Sequence, residues 1–240
     1  MSEWLKSVRV VLCRPEGPLN VGAVCRAMKS MGLTRLVLVS PGDFAQEEVH
    51  RMAVHAKELY DQAEHFENLD EALAGTVLSA GITRRRGSRR KWFSVLPEEL
   101  AQQCHQLEGE AALVFGNERT GLSDDELNCC TMACHIPTSP DFPSLNLSHA
   151  VQVVTAAFYR ESIGERTGTY APVTREEVDQ LVTKIHSGLD SRDYFRNADP
   201  EHTDRFFRDI LSRAALSVRE ARQIEKILAK LPYLSSSDPS

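Results

Sequence analysis

At 240 residues, with 42% hydrophobic and 26% charged residues, the chain has the composition of an ordinary globular protein, long enough for one large core or two smaller ones. Its apolar runs, such as RLVLVS (35–40) and AALVFG (111–116), are too short to span a bilayer, and the N-terminus lacks the apolar h-region of a secretory signal, so a cytoplasmic protein is expected. The formal net charge of −6 excludes a generally basic surface, yet the eight positions Arg84 to Lys91 hold six cations and no acid.

In chain order, VRVVLCR (8–14), RLVLVS (35–40), TVLSAG (76–81), AALVFG (111–116) and ACHIP (133–137) read as strands. They are mostly continuous apolar runs, the pattern of strands covered on both faces. Helical patterns lie between them. Over 22–32, Val24, Ala27, Met28 and Met31 share one face, Gly32 is the expected stop, and Arg26 falls off the apolar stripe. Asn20 and Gly22 are expected at the turn leading into that helix. SDDE (123–126) is a capping box. Strands alternating with helices predict a mostly parallel α/β sheet with helices on both faces.

GNERTGL (116–122) follows a strand, but Leu122 and Ser123 stand where a phosphate-binding P-loop needs Lys and then Ser or Thr. No G-x-G-x-x-G is present, so a dinucleotide site has no support. The glycine turn places Glu118 at the carboxyl edge of the sheet, where open α/β sheets bind ligands. PSLNLSHAV (143–151) precedes an apolar helix, with Ser144 as the expected cap; without a G-x-S-x-G elbow, Ser148 and His149 do not make a hydrolase. The six cysteines, Cys13, Cys25, Cys104, Cys129, Cys130 and Cys134, are expected as free thiols. CCTMACH lacks a second ligand pair at zinc-site spacing, so no metal is expected.

Beyond a long helix through AVQVVTAAFYR, residues 161–173 are polar and rich in Gly, Thr and Pro and read as a linker. A capping box at Thr174–Glu177 then opens a helix with Val178, Leu181, Val182 and Ile185 on one face. In 205–231 a second box, Ser217–Glu220, precedes an apolar stripe of Ala221, Ile224, Leu228 and Leu231, with Arg219, Arg222, Lys226 and Lys230 on another face. No strand signal follows residue 174, so the chain divides into 1–162, a linker at 163–173 and a small helical unit at 174–235.

Taken together and in this order, NVGAVCRAMKSMG (20–32), LVFGNERTGL (113–122) and IPTSPDFPSLNLSHAVQVV (136–154) resemble the three motifs of the SPOUT superfamily, in its SpoU-type RNA 2′-O-ribose methyltransferase branch. The likeness spans 8–160 and is nearest to TrmJ-like tRNA (cytidine/uridine-2′-O-) methyltransferases, which carry a helical extension after the catalytic domain. It implies a C-terminal trefoil knot, S-adenosylmethionine (SAM) as methyl donor with no metal, a homodimer, and tRNA as substrate, with a cytidine or uridine of the anticodon loop as acceptor. Carried over by position, Ile82, Thr83, Arg84, Gly116, Asn117, Glu118, Ile136, Ser144, Leu145 and Asn146 would hold the cofactor. Arg26 would be the central catalytic residue, supported by Asn20, Glu118, Ser144 and Asn146.

Under the same resemblance Arg84, Arg85, Arg86, Arg89, Arg90 and Lys91 would grip RNA phosphates, and Arg219, Arg222, Lys226 and Lys230 would extend that grip. Phosphate contacts give affinity and register rather than base identity. Ribosomal RNA as substrate, or an RNA-binding module without catalysis, are the alternative readings.

Overall fold

The structure is a computed structural model that describes residues 3–84, 94–163, 170–196 and 198–230. A short 3-10 turn, Glu3–Ser7, leads into strand β1 (Val8–Cys13), helix α1 (Pro18–Ser30) and β2 (Arg35–Val39). There follow α2 (Gln46–Ala53), α3 (Lys57–Asp61), β3 (Glu64–Phe66), α4 (Leu69–Leu73) and β4 (Thr76–Ile82). Next come β5 (Ser94–Val95), α5 (Pro97–Gln106), β6 (Glu110–Phe115), α6 (Asp124–Cys129), β7 (Met132–Cys134) and α7 (Leu147–Ser162). Three helices finish the chain: α8 (Arg175–Asp190), α9 (Pro200–Ala214) and α10 (Val218–Lys230).

The seven strands form one sheet in the order β3-β2-β1-β6-β4-β7-β5, and every pairing is parallel. Alternation along β1 explains why its whole run is apolar. Val8, Val10 and Leu12 enter one core, while Val11 and Cys13 enter a second on the opposite face. The first core is covered by α1, α5 and α7, through residues such as Val24, Met28, Leu100, Val154 and Phe158; Leu69, Leu73 and Leu127 of α4 and α6 cover the second. Burying each such side chain contributes about 1.5–3 kcal/mol, which makes a continuous apolar strand stable only between two helical layers.

Two strands escape the sequence reading. β3 and β5 have three and two residues and carry too little pattern to register. β7 is also shorter than expected, ending at Cys134. Helix α1 begins earlier than expected: Pro18 stands in its first turn, where a missing N–H costs nothing, so Asn20 and Gly22 lie within the helix rather than at a turn before it. Gly22 is where α1 and α2 pack closest. A Cβ there would meet the Val49 carbonyl oxygen at 2.4 Å and the Met52 Cβ at 2.8 Å. The expected helix stop holds: Gly32 adopts φ 74°. The boxes at Ser123–Glu126, Thr174–Glu177 and Ser217–Glu220 all form.

The last three helices share a separate core of Val173, Val178, Leu181, Val182, Ile185 and Leu211, against which Ala221, Ile224 and Leu228 pack. Leu231 lies outside the described residues, as does 164–169 of the expected linker. The linker's end is held in place: the Val173 N–H donates to the Leu216 carbonyl (2.8 Å) and the Glu108 N–H to that of Tyr170 (2.7 Å). Arg175 ties α8 to the sheet unit through the Cys129 carbonyl and Asp70. Residues 85–93, which join β4 to β5, lie outside the described residues. Among the described residues no helix is long and apolar enough to cross a membrane.

Replacing Gly22 by Ala is expected to destabilise the fold by about 1–3 kcal/mol through overpacking against α2. Thermal unfolding followed by circular dichroism checks this, and an unchanged midpoint would contradict the close helix contact.

Candidate active site

Parallel strands all end at the same edge, and the sheet order sets β1, β6, β4 and β7 side by side. The loops that follow them therefore meet although they lie far apart in sequence. Between these loops opens a cleft of about 890 Å³, including the part open to solvent. Ile82, Thr83 and Arg84 enter it from β4, Gly116 to Leu122 from β6, and Ile136, Thr138 and Pro143 to Leu145 from the chain after β7. Of the ten residues expected around a cofactor, nine line the cleft, and Asn146 alone does not.

Gly116 is dictated by the turn that follows it. A Cβ at this position would lie 2.1 Å from the Gly121 carbonyl carbon and the Leu122 nitrogen, because the chain folds straight back over it. The Asn117 side chain holds this turn from inside. Its Oδ1 accepts the Arg119 N–H (3.0 Å), and its Nδ2 donates to the Arg14 carbonyl (2.8 Å). Arg14 takes a left-handed conformation, φ 52°, just after β1. Its guanidinium grips both carboxylate oxygens of Glu126 at 2.7 Å, bracing the first turn of α6 against β1.

Glu118 joins the motifs. Its Oε2 accepts the Glu16 N–H (3.1 Å), and its Oε1 accepts the Gly17 N–H (3.0 Å) and the Asn20 Nδ2 (3.1 Å). Asn20 Oδ1 in turn accepts from Asn146 Nδ2 at 3.0 Å. Asn146 Oδ1 takes the Ser148 N–H and hydroxyl, at 2.9 and 2.8 Å. A single hydrogen-bonded chain thus runs Glu118–Asn20–Asn146–Ser148 across all three motif segments. Asn146 is the cap of α7, a role the sequence reading gave to Ser144; Ser144 is exposed and lines the cleft. With its oxygens committed to three N–H donors, Glu118 serves as an anchor for the β1–α1 loop.

Arg26 is exposed on α1 and does not line the cleft, and His149 is exposed on α7. Arg84 is exposed at the cleft, whereas Arg85, Arg86, Arg89, Arg90 and Lys91 lie outside the described residues. Arg219, Arg222, Lys226 and Lys230 are all exposed on α10, opposite its packed side. Two charged residues escape the sequence reading as parts of this region. Arg119 lines the cleft and pairs with Glu16 at 2.7 Å, and Arg14 braces the turn. Arg119 stands inside the GNERTGL motif, but nothing local marks Arg14, whose partners lie more than a hundred residues away.

The buried thiols are held as neutral groups. Desolvation pushes Cys25 and Cys134 up to about 12, and it raises Cys13 and Cys104 as well. Reactive cysteine chemistry at neutral pH finds no thiolate among these four.

An all-parallel α/β sheet with a cleft between the loops that follow β4, β6 and β7 defines a class of ligand-binding α/β protein. The sequence places it further. A model described as the SpoU rRNA Methylase family matches residues 7–156, and the chain belongs to that family. A tRNA (cytidine/uridine/adenosine-2′-O-)-methyltransferase TrmJ of Pseudomonas aeruginosa (strain UCBPP-PA14) is 35% identical over 257 positions, covering 98% of this chain and 100% of the relative. A tRNA (cytidine-2′-O-)-methyltransferase TrmJ of Methanocaldococcus jannaschii is 29% identical over 218 positions, covering 89% and 95%. The crystal structure of TrmJ from Z. mobilis ZM4 aligns with a TM-score of 0.77 at 29% identity, over 93% of this chain and 98% of that one.

The Arg14–Glu126 brace carries a pH dependence. Burial works against the Glu126 charge, but the Arg14 guanidinium and the Ser123 N–H together hold its carboxyl below the ordinary glutamate value. A carboxyl lowered on folding stabilises fully above the unfolded value, about 4.3, and the contribution is lost as pH falls through the lower folded value. Glu126→Gln is therefore expected to lower the unfolding midpoint at neutral pH and to leave a shallower fall between about pH 5 and about pH 3. Parallel melts across that range decide it, and an equally steep fall in the variant contradicts the brace.

Proposed function

We propose that the chain transfers a methyl group from SAM to a ribose 2′-hydroxyl of tRNA, with a cytidine or uridine of the anticodon loop as acceptor, acting in the cytoplasm as a homodimer. The observation that carries this reading is the Glu118–Asn20–Asn146 chain, which joins the three motifs beside a cleft that Glu118 lines. The relatives' printed activities point the same way. We divide the chain accordingly into a catalytic unit (1–162), a connection (163–173) and an RNA-binding helical extension (174–235).

The cleft fits SAM chemically. Ile82, Leu122, Ile136 and Leu145 give it apolar walls for a purine, while Thr83, Asn117, Thr138 and Ser144 supply polar groups. Ile82 to Arg84, Gly116 to Glu118, Ile136 and Ser144 to Asn146 would hold the cofactor. When bound, SAM supplies an electrophilic methyl on a sulfonium. The protein's part is to place the acceptor oxygen in line with that methyl, a contribution of up to about 7–11 kcal/mol in favourable cases. The 2′-hydroxyl must lose its proton as it attacks. Arg26 cannot take it, because a guanidinium stays protonated in proteins. Arg26 instead binds the adjacent phosphate and stabilises the forming alkoxide, while the proton passes to that phosphate or to water. Asn20 and Asn146, each locked by partners on both ends of its amide, keep the wall beside the acceptor from turning. The cations of 84–91 and of α10 hold the RNA backbone, as is usual where structured RNA is read by shape.

Arg26→Ala is expected to abolish transfer and leave SAM affinity within about twofold, because a residue that binds only the acceptor makes no ground-state contact with the donor. Activity retained in that variant would remove Arg26 from the chemistry. The test of the whole reading is to incubate the protein with SAM and total RNA from cells lacking the gene and to map 2′-O-methyl sites. A mark confined to a tRNA anticodon loop is expected. A mark on ribosomal RNA would overturn the substrate, and no SAM binding would overturn the enzyme.

A further inference from the structure

Arg119 is a second cation on the cleft, separate from the run at 84–91, and what occupies it is informative. Its Nη2 donates to Glu16 Oε1 at 2.7 Å. Both side chains are largely exposed, Arg119 at 77% and Glu16 at 47%. Neither is needed for the shape of its loop. The backbone N–H of Arg119 is held by Asn117 Oδ1, and the backbone N–H of Glu16 by Glu118 Oε2. The guanidinium thus stands at the cleft, fixed at its root, and is covered at its tip by a carboxylate that solvent can reach.

We infer that Glu16 is a stand-in for an RNA phosphate: in the free protein its carboxylate caps Arg119, and the phosphate beside the acceptor ribose displaces it and takes the guanidinium in its place. This rests on the RNA methyltransferase reading above. The exchange is chemically sound because a carboxylate and an RNA phosphodiester each offer a guanidinium two oxygens that share one negative charge. An exposed ion pair is also weak enough to be given up. The Arg119 guanidinium and the Asn117 side chain lower the Glu16 carboxyl from its ordinary value, so the cap is ionised at neutral pH. Its purpose is selective. Stray small anions meet a neutral pair, while a polyanion already held by Arg84 presents a phosphate at high local concentration and opens it.

Binding of total tRNA from cells lacking the gene, followed by filter retention over a salt series, tests this apart from methyl transfer. Arg119→Gln is expected to weaken binding about tenfold and to lower the salt slope by about one phosphate contact. Glu16→Gln is expected to tighten binding about threefold, since it removes the competitor and nearby repulsion. The combined variant decides the mechanism, because the gain from Glu16→Gln must vanish when Arg119 is already Gln. An undiminished gain means that Glu16 acts only by general repulsion, and it overturns the exchange. Unchanged binding in Arg119→Gln also overturns it. SAM affinity and the far-ultraviolet spectrum serve as folding controls, with Arg119→Lys distinguishing a fork contact from a plain positive charge: weakened binding in that variant, short of the Gln effect, is expected, and wild-type binding overturns the fork. If the wild type binds tRNA but transfers no methyl, the catalytic reading fails while the exchange is still decided by these affinities.

Discussion

The Glu118 carboxylate is the point on which the site turns. It sits within the turn that follows β6 and accepts hydrogen bonds from Glu16, Gly17 and Asn20 at 3.0 to 3.1 Å. These donors belong to the loop and first turn after β1, about a hundred residues earlier. Two of them are backbone N–H groups at the start of α1, which no residue within the helix can satisfy. An anion at a helix N-terminus is favourable on electrostatic grounds as well. From that anchor Asn20 and Asn146 carry the same order to the start of α7. Loss of the carboxylate would free three loops at once rather than one side chain.

The sheet makes this convergence possible. Parallel strands deliver every following loop to one edge, and β6 lies between β1 and β4 although it follows both in sequence. The glycine turn after β6 is thereby placed between the loops after β1 and β4. Arg14 and Asn117 then lock the turn from beneath, one through Glu126 and the other through the Arg14 carbonyl. The result is a cleft whose walls are rigid before any ligand arrives. Preorganisation of this kind suits a reaction in which alignment supplies much of the rate.

Charge is distributed unevenly for a reason that agrees with the proposed substrate. In a chain of net charge −6, the exposed cations of the described residues include Arg84 and Arg119 at the cleft and Arg219, Arg222, Lys226 and Lys230 along one side of α10. The opposite side of α10 is fastened to α8 by Ala221, Ile224 and Leu228. Helix α8 is fastened to the sheet unit by Arg175. The basic side of α10 therefore has a defined location on the molecule, and it offers a second contact for a long polyanion.

Much of this was legible in the residues themselves. Apolar runs gave β1, β2, β4, β6 and β7, the 3.6-residue stripe gave α1, α8 and α10, and all three Ser or Thr capping boxes formed where their spacing placed them. These are local signals, set by what neighbouring residues can do for one another. The short strands β3 and β5 were not legible, because two or three residues carry no period and exist as strands only where a longer neighbour offers its edge. Pro18 moved the start of α1, and Asn146 displaced Ser144 as the cap of α7, because the cap is chosen by the path of the incoming chain. For the site, nine of the ten cofactor candidates that the resemblance supplied line the cleft, since they lie in the loops after β4, β6 and β7 at the carboxyl edge. The Arg14–Glu126 brace, the Glu16–Arg119 pair and the hydrogen bonds of Glu118 to three N–H donors were decided by tertiary structure alone. Each joins residues about a hundred positions apart, and only the order in which strands enter a sheet brings such residues within hydrogen-bonding distance.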